Sequence, residues 1–256
     1  MYTNLLVDIS EKIATVTLNR PKQLNALNKE TIAELSSCLD TLEADKNVRV
    51  LILTGSGEKS FVAGADIKEF AHFSVEQGKE LAANGQDILF NKIENYSKPV
   101  IAAVNGFALG GGLELAMSCH VRVASNNARV GLPETSLGVI PGYGGTQRLA
   151  QLAGKGKAME LVLTAGMIKA EDALTWGIVN HVVSQEELLA TCQKMAFKMM
   201  ANSPNAQAVA ISVINAGFKT GVNGFETEIE GFGKCFGTPE FVEGTSAFME
   251  KRKANF

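Results

Sequence analysis

Two glutamates and two small-residue turns are the groups in this chain most able to do chemistry. Glu114 lies in an apolar run, LELAMSC, directly behind the triple glycine Gly110-Gly111-Gly112. Glu134 follows Pro133 in LPETSLGVIPGYGGTQR, which is otherwise nearly free of charge until Arg148. A carboxylate in such surroundings is either a structural cap or a catalytic acid/base. The glycines let the backbone turn sharply and come close to a ligand. Good helix formers from Leu113 onward put them at a helix N-terminus, where unpaired N–H groups and the positive end of the dipole attract developing negative charge. A second place of this kind is Gly64-Ala65-Asp66, just before Ile67-Lys68-Glu69-Phe70. Locally that segment reads as an ordinary loop-to-helix entry with Asp66 as N-cap, and Glu134 as a solvated loop residue. On the residues alone, both the structural and the catalytic readings stand.

The elements that must position these groups follow from hydrophobic periodicity. Ala14, Val16 and Leu18 alternate with threonines, a half-buried strand. Asn28 caps a helix carrying Ile32, Leu35, Leu39 and Leu42 at helical spacing. Residues 48–54 (VRVLILT) read as a buried strand, and 100–104 (VIAAV) are an apolar run suited to a strand buried on both faces. Residues 74–95 read as a longer polar helix, and 120–125 and 128–130 as short strands. From residue 149 on the chain is mostly helical, with short helices over 149–153, 157–163 and 170–176 and a strand over 178–183. Ser184 with Glu187 forms a capping box for a helix to about residue 201. Pro204 opens another helix, and Thr238-Pro239 a last one that ends at Lys251-Arg252-Lys253. Strand, helix, strand in succession indicates α/β organisation, followed by a helical last third.

Composition narrows the function classes. The chain has 256 residues, 46% of them hydrophobic and 20% charged, which suits a globular protein with a sizeable core. A net charge of −3 argues against a nucleic-acid surface. Four scattered cysteines, Cys38, Cys119, Cys192 and Cys235, read as free thiols of a reducing, cytoplasmic compartment. His72, His120 and His181 lack metal-ligand spacing, so no metal is expected. The N-terminus has no basic n-region, so no signal peptide is expected. Asn105 and Glu114 within the glycine-rich apolar stretch argue against a membrane span. Gly55 and Gly57 lack the third glycine of a dinucleotide fingerprint, since Ser60 stands in its place.

Five segments resemble one known family: FVAGADIKEF, PVIAAVNGFALGGGLELA, LPETSLGVIPGYGGTQRL, WGIVNHVV and SAFMEKRKANF. Their order and their spread from NRPKQLNALN to the C-terminus resemble the enoyl-CoA hydratase/isomerase (crotonase) family, and within it the hydratases. The resemblance implies an α/β crotonase-like spiral of ββα units with two roughly perpendicular sheets over residues 1–196. It implies a C-terminal helical region for trimerisation over 197–256, and a homo-oligomer, a hexamer made as a dimer of trimers. It implies an acyl-CoA thioester substrate, with no cofactor beyond the coenzyme A that the substrate itself carries. Carried over by position, the oxyanion hole falls at the backbone N–H groups of Ala65 and Gly111, and the catalytic acids at Glu114 and Glu134. Ala26, Ala63, Asp66, Ile67, Lys68, Phe70 and Gly142 fall where the family contacts CoA, the acyl group or the water. One departure is His120, which stands where many members carry an acidic residue.

That assignment has a chemical logic. Adding water across a 2-enoyl thioester develops negative charge on the thioester oxygen, and preorganised N–H donors stabilise it. The water needs a base, and the α-carbon needs a proton. By analogy with the family Glu134 delivers that proton and Glu114 orients and activates the water, with a backbone contact from Gly142. Alternatives are an isomerase of the same family, a non-catalytic acyl-CoA binder, or an RNA-binding member, the last opposed by the acidic balance.

Overall fold

The computed structural model describes residues 2–256. Among these residues ten strands form two sheets. They are β1 (Leu5–Ser10), β2 (Ile13–Leu18), β3 (Val50–Gly55), β4 (Ser60–Ala63), β5 (Val100–Val104), β6 (Phe107–Leu109), β7 (Val121–Ser125), β8 (Arg129–Gly131), β9 (Met167–Lys169) and β10 (His181–Val183). The larger sheet has the order β1-β2-β3-β5-β7-β10, and the smaller β4-β6-β8-β9. Among the described residues only β1–β2 and β8–β9 pair antiparallel. Each turn of the chain lays one strand in the large sheet and the next in the small one: β3 then β4, β5 then β6, β7 then β8.

The helices are α1 (Lys29–Ala44), α2 (Val75–Gly85), α3 (Asn91–Glu94), α4 (Gly111–Ser118), α5 (Gly145–Thr164), α6 (Ala170–Thr175), α7 (Leu188–Met200), α8 (Pro204–Ala216), α9 (Gly224–Phe236) and α10 (Pro239–Met249). The inner strands β3 and β5 are buried throughout and, apart from Thr54 near the end of β3, apolar, because both faces are covered. Leu51, Leu53, Val100, Ala102 and Val104 face the main core, whereas Ile52, Ile101 and Ala103 face a second cluster with Leu188, Cys192 and Ala196 of α7. The helix α4 is buried along its whole length.

Several local expectations are corrected. Glu134 is not in an open loop but in a 3-10 turn, Pro133–Leu137, which Pro133 opens. The polar helix over 74–95 is interrupted by a π-turn at Gln86–Phe90 between α2 and α3. By contrast, the two helices expected over 149–163 are present: α5 is interrupted between them at Gly154, whose φ 78° and ψ 157° are not helical. The Ser184–Glu187 capping box does not form. The helix starts at Leu188, Glu187 makes no capping bond, and Ser184 Oγ instead meets Glu187 Oε2 at 3.3 Å. Burial of Leu188, Cys192 and Ala196 against the sheet sets that start. The caps at Asn28 and Thr238 form as the sequence indicates.

His120 sits behind α4. Its Nδ1 accepts the Val100 N–H at 2.9 Å, so the ring proton is on Nε2, 3.2 Å from the Glu94 carbonyl. Burial lowers its pKa to about 4; the Glu94 carbonyl opposes this shift and the Arg122 charge adds to it. A neutral folded-state histidine stabilises the fold above its unfolded pKa near 6.5, and that contribution is lost as pH falls from 6.5 through 4. The shift corresponds to about 3 kcal/mol. Chemical denaturation across this window is expected to show wild type losing stability on acidification relative to His120→Asn. Parallel pH profiles would contradict it.

Candidate active site

The site is a cavity of about 270 Å³ between the N-terminus of α4, the 3-10 turn at Pro133–Leu137 and α2. Of the residues expected from sequence, Ala63, Ala65, Ile67, Phe70, Gly111, Glu114, Glu134 and Gly142 all line it. Ala26, Asp66 and Lys68 stand outside its wall. Arg20 ties the first two together, donating to the Ala26 carbonyl and pairing with Asp66 Oδ2 at 3.2 Å. Asp66 occupies the N-cap position of the 3-10 turn Ile67–Glu69 but makes no capping bond, because its carboxylate is turned to Arg20. Lys68 is exposed on that turn.

Ala65 is held by a parallel bridge to Leu27, made by Leu27 N–H to the Gly64 carbonyl (2.8 Å) and Asp66 N–H to the Leu27 carbonyl (2.7 Å). The bridge does not use the Ala65 N–H. Gly111 is the first residue of α4, so its N–H has no partner within the helix. A Cβ built on Gly111 would lie 3.7 Å from Ala65 N, which puts the two peptide units side by side at the cavity wall. The turn before them needs glycine at position 110. Gly110 has φ 50° and ψ −124°, and a Cβ there would fall 2.6 Å from Glu134 Oε1.

Glu114 is 1% exposed. Its Oε1 accepts the Tyr143 N–H at 2.8 Å and the Gly145 N–H at 2.7 Å. Arg148 fixes that turn, donating to the Tyr143 carbonyl at 2.8 Å and pairing with Glu94 at 2.8 Å. Burial raises the Glu114 pKa to about 7. The Gly145 N–H pulls it down, the nearby Glu134 charge pushes it up, and the Tyr143 N–H and Arg148 lower it further. Glu134 is also raised by burial, with its own backbone N–H opposing, and its buried Oε2 has no hydrogen-bond partner among the described residues. The cavity therefore holds two carboxyls that burial biases toward their neutral forms, beside two N–H groups able to stabilise an oxyanion.

A family model described as enoyl-CoA hydratase/isomerase matches residues 8–256. The chain belongs to the enoyl-CoA hydratase/isomerase family. Among relatives, the short-chain-enoyl-CoA hydratase of Clostridium acetobutylicum is 47% identical over 251 residues, covering 98% of this chain and 96% of that protein. The crotonyl-CoA hydratase of Syntrophomonas wolfei is 47% identical over 256 residues, covering 100% and 98%. The crystal structure of an enoyl-CoA hydratase from Bacillus anthracis superposes with a TM-score of 0.92 at 38% identity, covering 99% of each chain. The fold is thus that of the family, and the sheet-to-sheet spiral described above is how this member builds it.

Sequence reasoning missed three contributions to the site. Tyr143 lines the cavity, α2 supplies Gly78, Leu81 and Ala82, and Leu137, Val139 and Ile140 form an apolar rim. Tyr143 stood in the glycine-rich run GYGG, where a lone aromatic was a usable signal. The wall from α2 carried none, because small residues in a polar helix look like surface. The basic cluster at the C-terminus is partly engaged, with Arg252 pairing with Glu243 and Glu250. No helix among the described residues is long and apolar enough to cross a membrane, and no three His, Cys, Asp or Glu side chains there group as a metal site.

Proposed function

We propose that this chain is an enoyl-CoA hydratase, a hydro-lyase that reversibly adds water to 2-trans-enoyl-CoA to give 3-hydroxyacyl-CoA. The observation that carries the reading is the meeting of Glu114, Glu134 and the Ala65 and Gly111 N–H groups in one cavity. The two N–H groups form the oxyanion hole for the thioester oxygen. Glu114 activates the water. Its Oε1 is fixed by two backbone donors, so Oε2 carries the proton traffic. Glu134 protonates the α-carbon, and dehydration reverses both roles. Ala63, Ile67 and Phe70 flank the acyl-thioester; Ala26, Asp66 and Lys68 lead the CoA moiety toward it, and Gly142 offers a backbone contact to the water. The reaction calls on no resident cofactor.

The relatives named above support the hydratase reading over isomerisation. Assay of crotonyl-CoA against a 3-enoyl-CoA tests it, with hydration of the former expected to dominate. The assembly belongs to the same proposal: a dimer of trimers built through residues 197–256. In the single chain Ile214, Phe218, Phe225, Ile229, Phe232 and Phe248 are all more than half exposed, from α8 to α10. So much apolar surface on adjacent helices fits a subunit interface. Light scattering is expected to give the mass of six chains, and a monomer would contradict it. A cytoplasmic location is proposed on the four free cysteines.

A further inference from the structure

We propose that a second cavity, at the other end of α4 from the two glutamates, binds one small organic carboxylate whose head is held by the Arg122 guanidinium. The inference goes beyond the hydratase reading and stands on a different set of residues. The cavity has a volume of about 300 Å³ and is walled by the C-terminal end of α4, by α5 and by α8. Arg122, on β7, is part of that wall and only 5% exposed. It donates from Nε to the Ile178 carbonyl at 2.8 Å and from Nη1 to the Cys119 carbonyl at 2.7 Å. Its Nη2 has no partner among the described residues, and no carboxylate among them pairs with the guanidinium.

The groups around it do not supply the missing charge. Glu94 lines the same cavity, but both its oxygens are taken by Arg148, from Nε at 3.0 Å and from Nη2 at 2.8 Å. His120 is neutral there, as described above. Lys219, also in the wall, adds a second cation whose Nζ meets the Asn95 amide oxygen at 3.4 Å. Arginine cannot shed its proton to escape burial, and a buried charge without a counter-ion is costly. An anion entering the cavity beside Nη2 removes that cost. The rest of the wall selects its kind. Met117, Leu152, Ile211 and Ile214 are apolar, so a short alkyl chain behind the charged head covers surface that inorganic phosphate would leave wet. The planar guanidinium also matches the geometry of a carboxylate. Ile214 belongs to the apolar face assigned above to subunit contacts, so a carboxylate of a neighbouring chain is the competing occupant.

The test is calorimetric titration of the purified, assembled protein with butyrate, acetate and phosphate, in the parent, Arg122→Met and His120→Asp. Position 120 is two residues before Arg122 and within reach of its charge, so an aspartate there supplies the counter-ion from within. Butyrate is expected to saturate one site per chain. It should bind about threefold or more tighter than acetate or phosphate, since each methylene buried is worth up to about fourfold. Arg122→Met should weaken butyrate about tenfold or more, the loss that a hydrogen bond to a charged group carries. His120→Asp should weaken it similarly, and decides the matter alone if the methionine variant folds poorly. No saturable butyrate binding by the parent overturns the proposal, and dissociation of the assembly by Arg122→Met would then assign Arg122 to a neighbouring chain's carboxylate. Unchanged binding in the variants also overturns it, by placing butyrate elsewhere, as in the catalytic cavity. Phosphate binding as tightly as butyrate overturns the choice of an organic carboxylate. The hydratase reading fails separately, through absence of crotonyl-CoA hydration by the parent.

Discussion

Glu134→Gln is expected to slow crotonyl-CoA hydration by about 10³-fold, the range that a positioned acid/base supplies. The melting temperature should stay within about 2 °C of the parent. The argument has a structural half and a chemical half. Structurally, Glu134 makes little for the fold to lose: its buried Oε2 has no partner, and burial penalises its charge. The 3-10 turn that carries it is set by Pro133 and by Gly138 in the left-handed region, not by the carboxyl. Chemically, an amide of the same shape cannot deliver a proton to the α-carbon. A rate loss under tenfold would remove Glu134 from the mechanism. A large loss of stability would make it a structural residue.

Glu114→Gln is expected to reduce activity by a comparable 10²–10⁴-fold and at the same time to stabilise the protein at pH 8. A carboxyl held at about 7 in the folded state but near 4.5 unfolded favours the fold below pH 4.5. That advantage is lost as pH rises through 7, because ionisation is then easier in the unfolded chain. Above pH 7 the penalty in wild type is about 3 kcal/mol. Glutamine has no such penalty and keeps an Oε1 for the Tyr143 and Gly145 donors. Its stability advantage over wild type should therefore grow between pH 5 and 8 and vanish near pH 4.5. Equal stability of the two proteins at pH 8 would mean that Glu114 ionises normally in the folded protein and that burial does not raise its pKa. A carboxyl kept where it destabilises the fold is a mark of function rather than of architecture.

How much of this was legible beforehand divides along physical lines. Residues whose role follows from local backbone requirements were readable: β3 and β5 from unbroken apolar runs, α1 from Asn28 and its periodic leucines, the start of α4 from its glycines. Features decided by tertiary packing were not. The strand β1 is an edge strand with Leu6, Val7 and Ile9 exposed. It joins β2 through Glu11 and Lys12, both at positive φ, where the usual Asn-Gly signature is absent. The helix α9 had a usable signal in Asn223, whose side chain accepts from the Phe225 and Glu226 N–H groups.

The site itself was half legible. Each piece looked bland alone: a loop-to-helix entry at Ala65, a cap at Glu114, a solvated Glu134. Only the pattern across all the motifs singled them out, through family resemblance. What no local pattern contained was the adjacency of Gly111 and Ala65, nearly fifty positions apart in sequence, which the Leu27–Ala65 bridge and the packing of α4 create.

The central claim, that two glutamates and a backbone oxyanion hole add water to an enoyl thioester, is tested most directly by product analysis in ¹⁸O-labelled water. Crotonyl-CoA incubated with the purified protein should give 3-hydroxybutyryl-CoA carrying the label at C3, and Glu134→Gln should form it about 10³-fold more slowly. Recovery of unreacted crotonyl-CoA, or of its 3-enoyl isomer without label, would contradict the account.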